Sequence, residues 1–124
     1  FGSKEVDFSK IDQIIKDLEL ENLVKESKDG LNTIVGEDGV QISGGQAQRI
    51  GLARCFYSNR DIIILDEVTS ALDVQTENFI LNSIKKFKQN KTIIFITHRE
   101  NVLKFSDEIL ILEDGNIKNN KKFI

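Results

Sequence analysis

No methionine occurs in the 124-residue sequence. Translation begins on methionine, so Phe1-Gly2-Ser3 is expected to be the interior of a longer polypeptide. A single cysteine, Cys55, cannot close an internal disulfide, which fits a reducing, cytosolic compartment. Basic charge is not in excess either. Lys and Arg number 17 against 20 Asp and Glu, a net charge of -3. That balance removes the electrostatic basis of non-specific DNA or RNA affinity, so no nucleic-acid partner is expected. Apolar runs such as Ile62-Ile63-Ile64-Leu65 fall far short of the roughly 18 residues that a membrane-spanning helix needs. No Arg- or Lys-led apolar leader is visible at the start. What is present, 40% hydrophobic and 30% charged residues, is a soluble globular balance sufficient for one modest domain or part of one.

Periodicity divides the chain into short elements. Ser9, with Asp12 after it, stands ahead of Ile11, Ile14, Ile15 and Leu18 and predicts a capped amphipathic helix. A second short helix is expected over Glu21 to Glu26, stopping near Asp29-Gly30, and residues 31–42 read as a loop. Ser43 with Gln46 forms a capping box for a helix reaching about Tyr57. Asp61 to Asp66 and Thr92 to Ile96 are solid apolar blocks, the pattern of strands buried on both faces of a parallel sheet. Between them Asp73 caps a helix over Val74 to Lys88, with Phe79, Ile80, Ile84 and Phe87 on one face. A helical turn or two over Asn101 to Phe105 precedes a strand at Glu108 to Leu112. Asp114-Gly115 is a hairpin turn, Ile117 starts the return strand, and the polar tail Lys118 to Lys122 is expected to fray. Alternating strand and helix predicts an α/β fold with a mostly parallel sheet, flanking helices and a C-terminal β-hairpin. No repeat or linker divides it. Residues 1–57 read as a helical region and 58–124 as the part carrying the sheet.

Four clusters could carry chemistry. Asp66-Glu67 ends the first buried strand, and open α/β sheets bind ligands at that end. Successive strand residues point to opposite faces, so the two acids should have different jobs. One could hold Mg²⁺ through water and the other could orient and deprotonate an attacking water. An ordinary strand end turning to solvent has the same composition. Ser43-Gly44-Gly45-Gln46 opens a helix with little side chain in the way, so its N–H groups and the helix dipole favour a phosphate; a plain N-cap would look alike. His98, the sole histidine, lies just past the second strand and could face the same pocket, or be merely structural or exposed. It cannot build a zinc site with Cys55 as the only other soft ligand. Ser70-Ala71-Leu72-Asp73 reads alone as a capped loop.

Their order is far more specific than any one of them. S-G-G-Q-x-Q-R, an apolar strand ending Asp-Glu, then T-S-A-L-D, then a strand ending T-H-R resembles the nucleotide-binding domain of ABC ATPases. Ile42 to Gln46 is similar to the LSGGQ signature with Ile for Leu, and Asp61 to Glu67 resembles Walker B with its glutamate. Ser70 to Asp73 resembles the D-loop and His98 the H-loop switch. Thr33 to Gly39 resembles the T-x-V-G-E-x-G loop of exporter-type members, which meets the transmembrane domains. The likeness runs from Thr33 to about Ile117. It implies Glu67 as general base, His98 as γ-phosphate contact and water positioner, and Asp66 as Mg²⁺ holder. Ser43, Gly44, Gly45, Gln46 and Asp73 would face nucleotide across an interface with a second such domain. The implied cofactors are ATP and Mg²⁺. The implied partners are that second domain, as homo- or heterodimer, and the transmembrane domains, at the cytoplasmic side of a membrane.

A P-loop, G-x-x-x-x-G-K-[ST], is missing: Gly39 and Gly44 have the spacing, but Gly45 and Gln46 follow where Lys and Ser/Thr belong. In the family, Walker A, the adenine-stacking aromatic and the Q-loop lie upstream. The chain thus resembles the second half of a P-loop NTPase domain, one that alone should neither bind ATP tightly nor hydrolyse it. Ala47, Val68 and Cys55 depart mildly from the family pattern, away from the catalytic set. Two other classes share much of it: a soluble ABC-type ATPase of DNA repair or translation, and a non-enzymatic remnant. The exporter-like loop and the lack of basic patches argue against the first, and the missing Walker A suggests the second.

Overall fold

A computed structural model of the chain describes residues 5–70, 72–88 and 91–122; Phe1-Gly2-Ser3 and Ala71 lie outside the described residues. The helices are α1 (Phe8–Asp17), α2 (Glu21–Glu26), α3 (Gly44–Tyr57), α4 (Val74–Phe87) and α5 (Glu100–Leu103), with a 3₁₀ turn at Gly30–Asn32. The strands are β1 (Ile62–Asp66), β2 (Thr92–Ile96), β3 (Glu108–Glu113) and β4 (Asn116–Lys122). The α/β expectation stands, with one qualification. Among the described residues the strands form two separate pairs, β1 with β2 in parallel and β3 with β4 antiparallel, rather than one continuous sheet.

Local chemistry accounts for most element ends. Ser43 caps α3 with a complete capping box, and Asp73 caps α4, as their sequence positions predict. Asp114 and Gly115 both have positive φ, 50° and 74°, the backbone that a tight hairpin with right-twisted strands needs. The cap of α1 is Asp7 and not Ser9. The Asp7 carboxylate accepts from Lys10 N–H at 3.0 Å, while its own N–H donates to the Tyr57 hydroxyl at 3.0 Å and fixes where the helix starts. Helix α2 spans Glu21–Glu26 as expected, with Ser27 as its C-cap, and Gly30 after Asp29 opens the 3₁₀ turn. The polar tail does not fray: β4 continues to Lys122 because its backbone pairs with β3, whatever its side chains.

The core gathers Ile14 of α1 and Leu18 at its C-cap, Leu52 and Phe56 of α3, Ile63 and Leu65 of β1, and Ile80, Leu81 and Ile84 of α4. Phe56 stacks on Phe87 at 4.2 Å, joining α3 to α4, and the Ser83 hydroxyl donates to the Asp17 carbonyl. The strands, however, are not buried on both faces. Burial alternates along β1, with Ile63 and Leu65 covered and Ile62 and Ile64 exposed at 63% and 62%. Register places Ile64 beside Ile94, and Ile96 beside Asp66, so Ile62, Ile64, Ile94 and Ile96 share an open apolar face. Nothing among the described residues packs on that face, which is why a run read as doubly buried is covered on one side. Leu112 and Ile117 of the hairpin are likewise exposed.

Such a continuous apolar face, bordered by free strand edges, drives association. The 124-residue chain in isolation is therefore expected to self-associate in light scattering. A monomer with a sharp cooperative melt would contradict this.

Candidate functional site

Residues far apart in sequence meet at the C-terminal ends of the parallel strands. Asp66 closes β1, exposed and in register with Ile96 at the end of β2. Glu67 follows with φ of 48°, a conformation uncommon for a residue with a side chain, and its N–H donates to the Ile96 carbonyl at 3.0 Å. That bend turns the chain out of the strand. The Glu67 Oε1 and His98 Nδ1 atoms then lie 2.9 Å apart. An ionised carboxylate can only accept, so the Nδ1 hydrogen belongs on the ring and the second nitrogen is left for another partner. His98 is mostly exposed and Glu67 partly so, which places the pair at a surface that a ligand can reach.

From Glu67 the chain runs through two tight bonds, Ser70 N–H to Glu67 O and Leu72 N–H to Thr69 O, into the cap of α4. The Asp73 carboxylate accepts from the Thr76 hydroxyl at 2.6 Å and from the Gln75 and Thr76 N–H groups at 3.0 Å. These bonds hold its pKa below the ordinary carboxylate value, the Thr76 hydroxyl foremost. A carboxyl whose folded pKa is depressed adds stability above its unfolded pKa and loses it as the pH falls through the folded one. In the complete protein, thermal melts of wild type and Asp73→Ala should accordingly differ near neutrality and converge in acid. A gap that stays constant across that range would contradict the assignment.

The helix start at Ser43 is a separate structure that touches this loop. Ser43 Oγ accepts from Gln46 N–H at 3.2 Å, and Gln46 Oε1 accepts from Ser43 N–H at 2.8 Å. Gln46 is thus committed to the cap, while the Ser43 hydroxyl hydrogen is not used by it. Gly44 and Gly45 open α3, where N–H groups have no intrahelical acceptor. A Cβ at Gly45 would stand 3.2 Å from Leu72 Cδ2, so glycine here also permits close approach of the loop after β1. Gln48 Nε2 reaches Ser70 Oγ at 3.5 Å across the same contact.

Two residues of this region carry a signal that sequence reading passes over. Glu77 is fully buried, with Arg99 Nη1 2.9 Å from its Oε1 and Asn101 Nδ2 donating to Oε2 at 3.1 Å. Its position one turn before Ile80 and two before Ile84 sets an acid on the apolar stripe of α4, a visible demand for a cation.

The loop at Thr33 to Gly39 is a compact turn. Val35 and Val40 form an isolated bridge, and the Val40 N–H donates to the Ile34 carbonyl at 2.9 Å. A Cβ on Gly39 would come within 2.1 Å of the Ile34 carbonyl oxygen, so glycine is required there. Ile34, at the base of the turn, is left 71% exposed.

Among the described residues no three His, Cys, Asp or Glu side chains converge on one point as a metal cage. No described helix is long and apolar enough to cross a membrane.

Comparison with known proteins bears on the same residues. The sequence model of the family described as ABC transporter matches residues 4–70. The leukotoxin export ATP-binding protein of Aggregatibacter actinomycetemcomitans is 44% identical over 96 residues, which is 77% of this chain and 14% of that protein. The alpha-hemolysin translocation ATP-binding protein of Escherichia coli O157:H7 is 45% identical over 94 residues, 76% of this chain and 13% of that protein. Among solved structures, a bacterial Atm1-family ABC exporter with ATP bound superposes with a TM-score of 0.84 at 32% identity, covering 97% of this chain and 21% of that one. The chain therefore spans about one seventh of the length of the curated relatives it matches.

Proposed function

Because the chain belongs to the ABC transporter family, we propose that it forms the C-terminal half of an exporter-type ATPase domain, in which ATP hydrolysis drives transport across a membrane. Residues 1–57 supply the helical region with the signature, and residues 58–124 supply the far part of the ATPase core. The phosphate cradle comes from a segment that this sequence does not contain, so the 124 residues alone do not turn over ATP. Relatives named for leukotoxin export and alpha-hemolysin translocation support the outward direction of transport. The domain works at the cytoplasmic side of a membrane, joined to transmembrane domains through the Thr33–Gly39 turn.

The observation that carries this reading is the 2.9 Å contact between Glu67 and His98 at the strand ends. Hydrolysis of the terminal phosphoryl group needs a water placed in line and a base to take its proton. Glu67 takes that proton. His98 donates Nδ1–H to Glu67 and, as the imidazolium, Nε2–H to the γ-phosphate, fixing the water between them. A lone exposed carboxylate at Asp66 fits Mg²⁺ held through water, because that ion keeps most of its hydration and takes few protein ligands. When bound, Mg²⁺ supplies charge neutralisation at the phosphate oxygens.

Donors on the opposite side of the phosphoryl group come from a second domain. Ser43, with the N–H groups of Gly44 and Gly45, faces the nucleotide seated on the partner, and Gln46 holds that helix start in shape. Asp73, at the head of α4, belongs to the same interface. ATP then joins the two domains, and its cleavage lets them part. In the complete ATPase, His98→Ala should lower kcat about 10²-fold and leave ATP binding intact. Unchanged turnover in a steady-state phosphate-release assay would remove His98 from this role.

A further inference from the structure

Arg99 directly follows His98, and its guanidinium meets three groups from two other segments. Nη1 lies 2.9 Å from Glu77 Oε1, donates to the Thr69 carbonyl, and approaches the Leu72 carbonyl at 3.5 Å. Glu77 and Thr69 are 0% and 2% exposed, while the Arg99 side chain reaches them from a half-buried position. A carboxylate so buried needs a cation and further donors, and Arg99 and Asn101 provide both. The Arg99 N–H in turn donates to Thr97 Oγ1 at 3.1 Å, which fixes the backbone on either side of His98.

We infer that Arg99 is a positioning residue for the Glu67–His98 pair, a clamp whose Nη1 ties the loop after β1 to the loop after β2 with Glu77 as its buried anchor. Thr69 lies within the turn that Glu67 begins, whose carbonyl accepts from Ser70 N–H at 3.0 Å, and Leu72 closes the next one onto the Thr69 carbonyl. One planar group therefore sets where Glu67 sits relative to His98, its own chain neighbour. Leu72 also rests against Gly45 at the head of α3, so the same clamp reaches the helix start proposed to face nucleotide. The inference rests on the ATPase reading above. It assigns to Arg99 no contact with substrate.

Lysine separates positioning from simple stability. Arg99→Lys keeps a cation against Glu77, but its flexible ammonium lacks the planar group that holds Nη1 in one place between the Thr69 and Leu72 carbonyls. In the complete ATPase, Arg99→Lys should lower kcat about tenfold while KM for ATP changes by less than about twofold and the melting temperature stays near wild type. Wild-type kcat in a folded Arg99→Lys protein would overturn the inference. Should that variant melt below the assay temperature, Glu77→Gln decides instead, since it keeps the bond to Asn101 and loosens the anchor; a tenfold fall in kcat supports positioning and an unchanged kcat overturns it. Glu67→Gln is assayed alongside. If wild type hydrolyses no ATP, the ATPase reading fails and takes the inference with it; if Glu67→Gln keeps turnover, Glu67 is not the base and a positioning role toward it falls; if Glu67→Gln is inactive and kcat is untouched by the Arg99 and Glu77 changes, the inference alone fails.

Discussion

Glu67→Gln in the complete ATPase is expected to lower hydrolysis about 10³-fold while ATP binding persists. The amide is isosteric with the carboxylate, so the bend at φ of 48° and the approach to His98 can both survive the change. What disappears is the capacity to take a proton from water. A fall in kcat without loss of affinity is the signature of an interaction made only in the transition state. Nucleotide-bound dimers of this variant should accumulate, because the cleavage that separates them no longer occurs. Single-turnover hydrolysis together with equilibrium ATP binding checks this, and a near wild-type rate would remove Glu67 from the role of base.

Ile80→Ala is expected to destabilise the folded ATPase domain by about 3 kcal/mol. Ile80 is fully buried on α4 beside Leu81 and Ile84, within the core shared with Leu52 and Phe56 of α3. Removing three side-chain carbons there loses their transfer energy and leaves a cavity that packed helices fill only in part. Val74 on the same helix is 56% exposed, and Val74→Ala should change stability by less than about 0.5 kcal/mol. Urea unfolding of the two variants compares them directly. Equal losses would mean that α4 does not bury the stripe described here.

What could be read from the residues was whatever local chemistry decides. The Ser43–Gln46 box, the Asp73 cap and the Asp114-Gly115 turn are fixed by neighbours within three residues, and each stands where its pattern placed it. The start of α1 was not legible because Asp7 and Ser9 are both competent caps. The choice is made by Tyr57, 50 residues away, whose hydroxyl and carbonyl hold Asp7 and Lys10. Strand burial was misread for a related reason. Ile62-Ile63-Ile64-Leu65 carries no alternation, yet α-helices cover only the Ile63 and Leu65 side. β4 fails the opposite test: its polar residues suggest fraying, but strand pairing is a backbone matter that composition does not report. Glu77 and Arg99 escaped because their meeting depends on how α4 lies against the loop after β2, which no local pattern encodes.

In the proposed ATPase, Glu67 of one domain and Ser43 of the other act on a single nucleotide. Mixing two inactive variants of the complete protein, Glu67→Gln and Ser43→Arg, tests it most directly. In a mixed dimer one shared site carries both lesions and the other carries neither. Phosphate release should then return to about a quarter of the wild-type rate for equal amounts of the two, as random pairing of subunits requires. A mixture as inactive as either variant alone would show that Glu67 and Ser43 serve the same nucleotide from within one chain, and would contradict the account.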